Sequence, residues 1–517
     1  MLCKTLAFVR NPRFFAIRTK DSSTMRQRFE VNPDLNVTPI EKIIIPLKSR
    51  DELPPLLAGL QWLWTHSTLK TQILELLDAK INADKKRTGR PGMELWQLLV
   101  LGVVRLGLDA NYDRLEHIAN FDTLVRQMLG IAPHPFGQEA QLFNHQTLRD
   151  NVSLVDEELL QQINALVAAS GRPVFKKKDD GPVEPLAVKV DTFVLETDVH
   201  FPTDLNLLWD AGRKCLDFVA QFQPDLGGEL TGWRKLKDWR RRLKGLERQS
   251  SKAAFGGGKN KETRVRRAVG EYLRVARELS VKVGHSLQNP QVFATNALRW
   301  LALGHFQEMV DKHVDLVERR LLHGEVIPTA EKVYSLFEPH TEWIAKGKQR
   351  PAVELGHRIC VATDQHGLVQ DYRVLVREVD VEQSAPVADR LLGRYGEGSI
   401  ASISFDKGFS REEDRQLLEL YIPVVVMPKR GKKNAGETER EHAKKFIALR
   451  KQHSAVESDI NALEHHGLDR CPDVGLDGFQ RYVGYGVLAL NLHRIGKRLQ
   501  EHQREQEDEA RERKRAA

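Results

Sequence analysis

The sequence predicts a mixed α/β fold: a sheet flanked by helices, interrupted by a helical insertion and preceded by an all-α segment. Apolar runs rich in β-branched residues predict strands at 188–194, 400–406 and 422–427. Helical periodicity across 225–325 separates the first strand from the other two. This alternation of strands and helices is typical of a sheet whose faces are covered by helices.

Residues 25–170 are predicted to form a helical N-terminal domain. The apolar stretch 95–108 carries Arg105 and is shorter than the roughly 20 residues that cross a bilayer, so it predicts a buried helix. Further helices begin near Asn111 and Asn144. Short helices of this kind suit a DNA-binding module, although any small helical bundle has the same pattern. The lysine- and proline-containing residues 171–186 predict a linker.

The first 24 residues are expected to be disordered or to precede the true start of the protein. Their first twenty residues hold five basic side chains and no acid, which superficially resembles a transit peptide. A start at Met25 is the favoured interpretation.

The rest of the chain completes the sheet domain, assigned to 187–220 and 326–497. Its predicted elements are a strand at 332–336, a hairpin of 358–363 and 372–376 that turns at 365–367, helices at 385–395 and 411–420, and a long helix containing Glu457. The insertion is assigned to 221–325. Residues 498–517 are mostly charged and predict a solvated helix or frayed tail.

The composition favours a polyanionic partner in a reducing compartment. The 517 residues suit two or three domains, and the net charge is +8. The four cysteines, Cys3, Cys215, Cys360 and Cys471, lack the spacing of a disulfide framework or a zinc site. We therefore expect a reducing compartment and no membrane partner.

Three acidic residues have the local contexts that a two-metal phosphoryl-transfer site requires. Asp191 lies in the first strand, Asp406 ends the second, and Glu457 lies on a helix. Two metal ions about 3.5–4 Å apart stabilise both the attacking and the leaving oxygen of a phosphodiester. Magnesium prefers carboxylate oxygens, and Mn²⁺ is the expected substitute. Asp191 is expected to bridge two ions, Asp406 to hold one and Glu457 the other.

Four other aspartates compete for these roles. Asp198 and Asp204 lie in a turn and at a helix start, where aspartate caps well. Asp364 begins the hairpin turn, and Asp459 lies on a different helix face from Glu457. The acidic set Asp191, Asp406 and Glu457 is preferred because of its strand, strand and helix contexts.

Several segments carry a resemblance to a known family. They are Val-Asp-Thr-Phe-Val at 190–194, Phe-Pro-Thr-Asp-Leu-Asn-Leu-Leu at 201–208, Phe-Asp-Lys-Gly-Phe-Ser at 405–410, Ala-Val-Glu-Ser-Asp at 455–459 and the helix at 484–495. In this order they resemble the DDE transposases of bacterial insertion sequences, over most of residues 85–500 apart from the insertion. The stretch 89–149 is similar to the helical module ahead of their catalytic core.

The resemblance implies a ribonuclease H-like catalytic domain with Asp191, Asp406 and Glu457 as catalytic and metal-binding residues. It also implies two Mg²⁺ ions and a homodimer on double-stranded DNA. The expected location is the bacterial cytoplasm, with association with the nucleoid when the protein is bound to DNA. One departure concerns the helix of Glu457, where many relatives carry a tyrosine, an arginine and a lysine on one face. Here His453 and Arg450 precede the glutamate, and Glu464 stands where a lysine is expected.

The insertion is strongly basic. Residues 234–267 contain fourteen lysines and arginines against three acids. Such a patch can neutralise several backbone phosphates. The predicted DNA-binding residues are Arg234, Lys235, Lys237, Arg240, Arg241, Arg242 and Lys244, with Arg450 beside the acidic set. The alternative is a solvated amphipathic face whose tryptophans, Trp233 and Trp239, pack inward.

The expected function is DNA transposition: binding of terminal inverted repeats, metal-dependent cleavage of the DNA ends, and joining of the 3′-hydroxyl to target DNA. One alternative is a related nuclease that cuts without integrating. Another is a non-catalytic DNA-binding protein derived from a transposon. No HExxH, GxxxxGK[ST] or GxSxG motif is present, so nothing favours zinc protease, nucleotide-hydrolysing or serine hydrolase chemistry.

Overall fold

The computed structural model describes residues 25–29, 37–83, 92–134, 141–176, 184–227, 230, 232–345 and 352–516. Residues 1–24 and most of the predicted linker, 177–183, lie outside these ranges. The described chain forms two compact units, one of residues 199–343 and the other of 25–198 with 344–516. The residue range of the first unit, 199–343, extends beyond both ends of the predicted insertion, 221–325.

In the described ranges, seven helices precede the sheet. They are α1 Leu53–Thr65, α2 Ser67–Ile81, α3 Leu95–Gly107, α4 Tyr112–Phe121, α5 Thr123–Met128, α6 His145–Val152 and α7 Glu157–Gly171. Side chains of Asn111, Asp122, Asn144 and Asp156 cap α4 to α7 by accepting backbone N–H groups. Every residue of α3 is buried, as its continuous apolarity predicts. Its Arg105 is compensated by Asp473, 2.6 Å away.

The sheet has seven strands. They are β1 Leu186–Thr197, β2 Glu342–Ala345, β3 Val353–Thr363, β4 Val369–Leu375, β5 Ile400–Phe405, β6 Val425–Val426 and β7 Arg470–Cys471. The main order is β2-β3-β1-β5-β6, with β4 paired to β3 and β7 to β1. Because β1 pairs antiparallel with β3 and parallel with β5, the sheet is mixed. The predicted α/β class is therefore confirmed.

Alternate residues of β1 enter different cores. Val188 and Val190 belong to a cluster with residues of β5 and the helix α13, Ser384–Tyr395. Phe193 and Leu195 belong to a cluster that includes α1 to α4 and the long helix α18, Leu476–Ala516. The N-terminal helices therefore share one hydrophobic core with a face of the sheet.

Short helices lie between β5 and β7. They are α14 Glu412–Glu419, α15 Ala435–His442, α16 Lys444–His453 and α17 Ala455–Leu463. The expectation of one long helix around Glu457 is wrong, because the chain breaks near Ala443 and Ser454 and Glu457 lies in the first turn of α17. Residues 498–516 form the end of α18 and are mostly exposed, which agrees with the solvated helix that was one of the two predictions for this segment.

Two strand predictions need correction. The run 422–427 forms only the two-residue strand β6, because Pro423 cannot donate to a ladder and β6 lies at the edge of the sheet. Residues 332–336 form no strand. The Ser335 hydroxyl accepts the backbone N–H groups of Phe337 and Glu338, which makes a local turn instead of a ladder.

The smaller unit is helical. Its helices are α8 Asp204–Asp225, α9 Leu236–Phe255, α10 Lys261–Leu287, α11 Pro290–Thr295 and α12 Ala297–Val317. Buried apolar residues of α8, α10 and α12, such as Phe218, Leu279 and Phe306, fill the space between them. Among the residues described, no helix combines the length and apolarity needed to cross a membrane.

Candidate active site

The register between β1 and β5 brings two of the predicted carboxylates together. Val190 is paired with Phe405, so Asp191 and Asp406 are the next residues along two adjacent parallel strands. Successive side chains of a strand point to opposite faces, which places Asp191 on the face of Lys189 and Asp406 on the face of Ser404. These two descriptions refer to the same face of the sheet. Helices α16 and α17 cover that face, because Lys189 forms a hydrogen bond with α17 and Ser404 forms one with α16.

The sheet is open beside Asp191. Along this edge of β1, Leu186–Val190 pair with β5, and Glu196–Thr197 pair with β7. Between them, within the described ranges, no strand pairs with residues 191–195 on that side. β5 ends at Phe405, and the chain turns away in a 3₁₀ turn at Lys407–Phe409. In this gap the β1 backbone beside Asp191 has no neighbouring strand among the described residues.

Asp191 is partly buried and lies among other acids. Its Oδ1 accepts the backbone N–H of Thr192 at 2.7 Å. Burial, followed by the repulsion of Asp406, Asp380 and Glu457, raises the pKa of Asp191 from 3.8 to about 6, although the Thr192 bond opposes the change. The sheet and α17 therefore concentrate negative charge around one carboxylate.

Glu457 reaches this region because Asp459 holds α17 against the sheet. Asp459 is buried, and its Oδ2 accepts bonds from Lys189 Nζ at 3.0 Å and Thr363 Oγ1 at 2.8 Å. Its Oδ1 accepts a bond from Arg494 at 2.9 Å. Glu457, two residues earlier, is exposed. Asp459 is thus a structural residue, and Glu457 is the carboxylate that remains available.

His453 lies four residues before Glu457, at the end of α16. Its Nδ1 lies 3.0 Å from Ser404 Oγ, two residues before Asp406. Burial lowers the pKa of His453, while the nearby Asp406 and Glu457 oppose that change. Its Nε2 is buried without a hydrogen-bond partner. The ring therefore packs against the strand that leads to Asp406, just before the helix of Glu457.

Asp380 is a fourth carboxylate at the site and is not among those predicted from the sequence. It begins a short 3₁₀ turn after β4 and contributes to the raised pKa of Asp191. Its Oδ1 is buried, has no hydrogen-bond partner and lies 3.8 Å from Arg358 Nε. An ideal Cβ on Gly408 would lie 3.3 Å from its Oδ2, so Asp380 also borders the turn after Asp406. A single acid in a polar loop has no distinguishing sequence pattern.

The donor set suits a hard divalent cation. Four carboxylates with oxygen donors, one of them holding an orphaned buried oxygen, supply the chemistry that Mg²⁺ or Mn²⁺ requires. Among the described residues, no group of three or more His, Cys, Asp or Glu side chains is arranged closely enough to hold a metal ion. Asp406 and Glu457 are exposed, so their side chains can rotate towards a cation.

The competing aspartates all have structural partners. Asp198 pairs with Arg470 at 3.1 Å, and Asp204, the first residue of α8, pairs with Arg320 at 2.9 Å. Asp364 is buried in the hairpin turn, where it accepts the N–H groups of His366 and Leu368. These contacts account for the three carboxylates without a catalytic role.

The predicted basic residues of the insertion divide into two groups. Arg240 pairs with Asp217, Arg242 lies 3.5 Å from Glu271, and Lys244 lies 2.8 Å from Glu247. Arg241 is 82% exposed and lies 3.6 Å from Asp238. The remaining members, Arg234, Lys235 and Lys237, are exposed, as is Arg450 in the last turn of α16.

The tryptophans of the insertion are structural. Trp233 is 1% exposed, and its Nε1 donates to Ser286 Oγ at 2.8 Å. Its ring lies 6.2 Å from that of Trp239, and Lys282 lies over both rings. The inward-packing alternative therefore describes Trp233.

Comparison of the chain with protein-family models, with curated proteins and with solved structures finds no match.

Proposed function

We propose that the protein is a metal-dependent DNA phosphodiester transferase, a transposase with a ribonuclease H-like catalytic domain. The observation that carries the proposal is the pairing of Val190 with Phe405, which sets Asp191 beside Asp406 under the helix of Glu457. A bound cation relieves the repulsion among these carboxylates, so the cluster is stable in its ionised form when a cation is bound.

In this proposal Asp191, Asp406 and Glu457 hold two Mg²⁺ ions, for which Mn²⁺ can substitute. When bound, the ions activate the attacking oxygen and stabilise the leaving oxygen of a phosphodiester. The chain itself supplies the rest. Asp459 fixes the position of Glu457 through Lys189, and the exposed Arg450 contacts a phosphate next to the scissile bond.

The gap between β5 and β7 beside Asp191 suits a polymer substrate, because an extended backbone can pass the carboxylates without being enclosed. Double-stranded DNA with terminal inverted repeats is the proposed substrate, and a homodimer on DNA the proposed assembly. Cytoplasmic and nucleoid location follow from that substrate. A nuclease that cuts without joining is the second candidate, because the same carboxylates serve both reactions.

Two measurements test the proposal. DNA fragments carrying the sequences that flank the gene are incubated with protein and Mg²⁺ or Mn²⁺, and nicking and strand joining are read separately. Metal binding is read independently as a rise in melting temperature with added Mn²⁺, in wild type and in Asp191→Asn. We expect nicking, joining and a metal-dependent rise in the wild type only. Nicking without joining identifies the nuclease, and no response to metal overturns the proposal.

A further inference from the structure

The helices α9 and α10 form an antiparallel hairpin, because Arg242 approaches Glu271 while Ser250 donates to the carbonyl of Ala268. In the middle of the stem three cations are paired with acids. Arg240, Arg242 and Lys244 all have acidic partners, and Arg242 also lies 3.6 Å from Glu278. The contacts of Arg242 join α9 to α10, whereas Arg240 is paired with α8 and Lys244 with a residue of α9 itself.

The tip of the hairpin, residues 248–267, is different. It contains seven basic residues and one acid, Glu262. The basic residues are Arg248, Lys252, Lys259, Lys261, Arg264, Arg266 and Arg267, and all seven are exposed. In the part of the chain that the structure describes, none of them forms an ion pair. The tip therefore carries a concentrated, uncompensated positive charge.

The tip is also built as a defined loop. Gly258 adopts a φ of 110°, which favours glycine, and Arg264 donates to the carbonyl of Gly257 at 2.6 Å. This bond fixes the turn that brings Lys259 and Lys261 close to the end of α9. Six cations remain available once Arg264 is assigned to the loop.

The apolar surface of the tip is too small for membrane insertion. Ala253, Val265 and Val269 are buried, which leaves Phe255, 72% exposed, as the one exposed large apolar side chain in 248–267. A membrane-binding amphipathic helix needs a continuous apolar face. A row of cations with a single aromatic ring instead suits a nucleic acid, whose phosphates bind cations and whose bases or sugars contact the ring.

We propose that this tip is a binding surface for the phosphate backbone of duplex DNA. The surface is distinct from the carboxylate site and does not depend on the catalytic proposal. It also differs from the predicted cluster 234–244, because Lys235 and Lys252 are 17 residues apart on one chain, about 25 Å along a helix. Backbone contact carries no sequence information, so the surface adds affinity for any duplex.

The test compares two variants with the same change in net charge. The tip variant is Lys252→Gln, Lys259→Gln, Lys261→Gln and Arg266→Gln; the stem variant is Arg240→Gln, Arg241→Gln, Arg242→Gln and Lys244→Gln. Binding to a duplex of arbitrary sequence is measured by fluorescence anisotropy over a series of salt concentrations. Because each phosphate contact contributes about 0.9 to the log–log slope, the tip variant is expected to lose about three to four units of slope. The stem variant is expected to lose less than about one.

Equal losses in the two variants overturn the proposal, because they assign the effect to net charge alone. An unchanged slope in the tip variant, or a wild type that does not bind duplex DNA, also overturns it. Wild-type binding to vesicles of anionic phospholipid in preference to DNA assigns the tip to a membrane surface instead.

A second measurement uses the wild type and does not depend on the folding of a variant. Acetylation of surface lysines is followed by mass spectrometry with and without duplex DNA. We expect DNA to protect Lys252, Lys259 and Lys261 at least about fivefold, as the salt-dependent contacts imply. Exposed lysines of the other unit, such as Lys432, serve as internal references. Unprotected tip lysines under saturating DNA contradict the proposal.

Discussion

Lys189 Nζ lies 3.0 Å from Asp459 Oδ2, and this buried ion pair joins the central strand to the helix of Glu457. Thr363 and Arg494 also donate hydrogen bonds to the carboxylate of Asp459. Lys189 is two residues from Asp191, and Asp459 is two residues from Glu457. The pair therefore fixes the spacing between two proposed metal ligands without being a ligand itself.

We predict that Asp459→Asn destabilises the protein by about 3 kcal/mol, because it leaves Lys189 and Arg494 without their shared counter-charge in a buried site. Urea unfolding measures the change. Asp198→Asn is the matched control, since its pair with Arg470 is exposed and is expected to contribute less than about 1 kcal/mol. Similar losses of stability in both variants would show that the buried pair of Asp459 contributes no more to stability than the exposed pair of Asp198.

Asp406→Asn is expected to abolish cleavage while leaving DNA binding nearly intact. The amide keeps the size of the side chain but loses the charge that attracts a divalent cation, and Asp406 is exposed, so folding is little affected. A gel shift and a Mg²⁺ or Mn²⁺ nicking assay on the same preparation measure both properties. Asp198→Asn is expected to nick normally. Cleavage by Asp406→Asn at the wild-type rate would remove this residue from the site.

For Asp380→Asn we predict a reduction in cleavage of about tenfold to a hundredfold, smaller than that of Asp406→Asn. Asp380 contributes charge near Asp191 but follows a different strand. Loss of an outer interaction at a metal site costs about that much. The readout is the Mn²⁺ concentration for half-maximal nicking, which should rise. A purely structural role would instead lower stability and leave that concentration unchanged.

The raised pKa of Asp191 makes metal-free stability pH-dependent. The folded state disfavours the ionised carboxylate, so it binds the proton more tightly than the unfolded chain does. Stability is therefore lost as pH rises from 3.8 through about 6. Asp191→Asn avoids this loss. Its stability gain in EDTA should grow by about 1–2 kcal/mol between about pH 4.5 and pH 8, measured by urea unfolding. A gain independent of pH would contradict the assignment.

Gly59→Ala should lower the melting temperature by several degrees or prevent folding. A Cβ at Gly59 would lie 2.0 Å from the carbonyl oxygen of Leu492, where α1 crosses α18. Backbone cannot move aside as a flexible side chain can, so the helices must separate. Gly393→Ala in α13 is the control, because nothing lies within 4 Å of its Cβ position. Differential scanning calorimetry measures the melting temperatures of both variants. Equal melting temperatures would refute the close approach of α1 to α18.

The elements with strong local signals were predictable. The strand around Asp191, the buried helix α3, the hairpin turn at Asp364 and the helix at Ser384–Tyr395 follow from apolar periodicity and turn residues. The strand predicted at 422–427 is longer than the observed β6, because apolarity alone does not reveal that Pro423 interrupts the ladder. The helix breaks near Ala443 and Ser454 could not be predicted in this way, because no glycine or proline lies beside them.

Pairings between distant residues could not be predicted from one sequence. The contacts of Asp459 with Lys189 and Arg494 join three elements separated by 270 and 35 positions. Asp380 and the neutralised stem of the hairpin also depend on tertiary neighbours. Charge counts identified the basic insertion, but only packing distinguishes Arg242, which binds Glu271, from Lys252, which is free to bind a polyanion.

The long helix α18 has a consequence for synthesis on the ribosome. It packs against α1 and α7, and Arg494 on it binds the aspartate that holds α17. A helix near residue 500 therefore completes a core begun by a helix near residue 60. A chain growing at about 5–20 residues per second must keep its early helices from aggregating until α18 has been made, which takes roughly half a minute or more. A nascent or truncated product lacking α18 is consequently expected to be a substrate for chaperones and proteases.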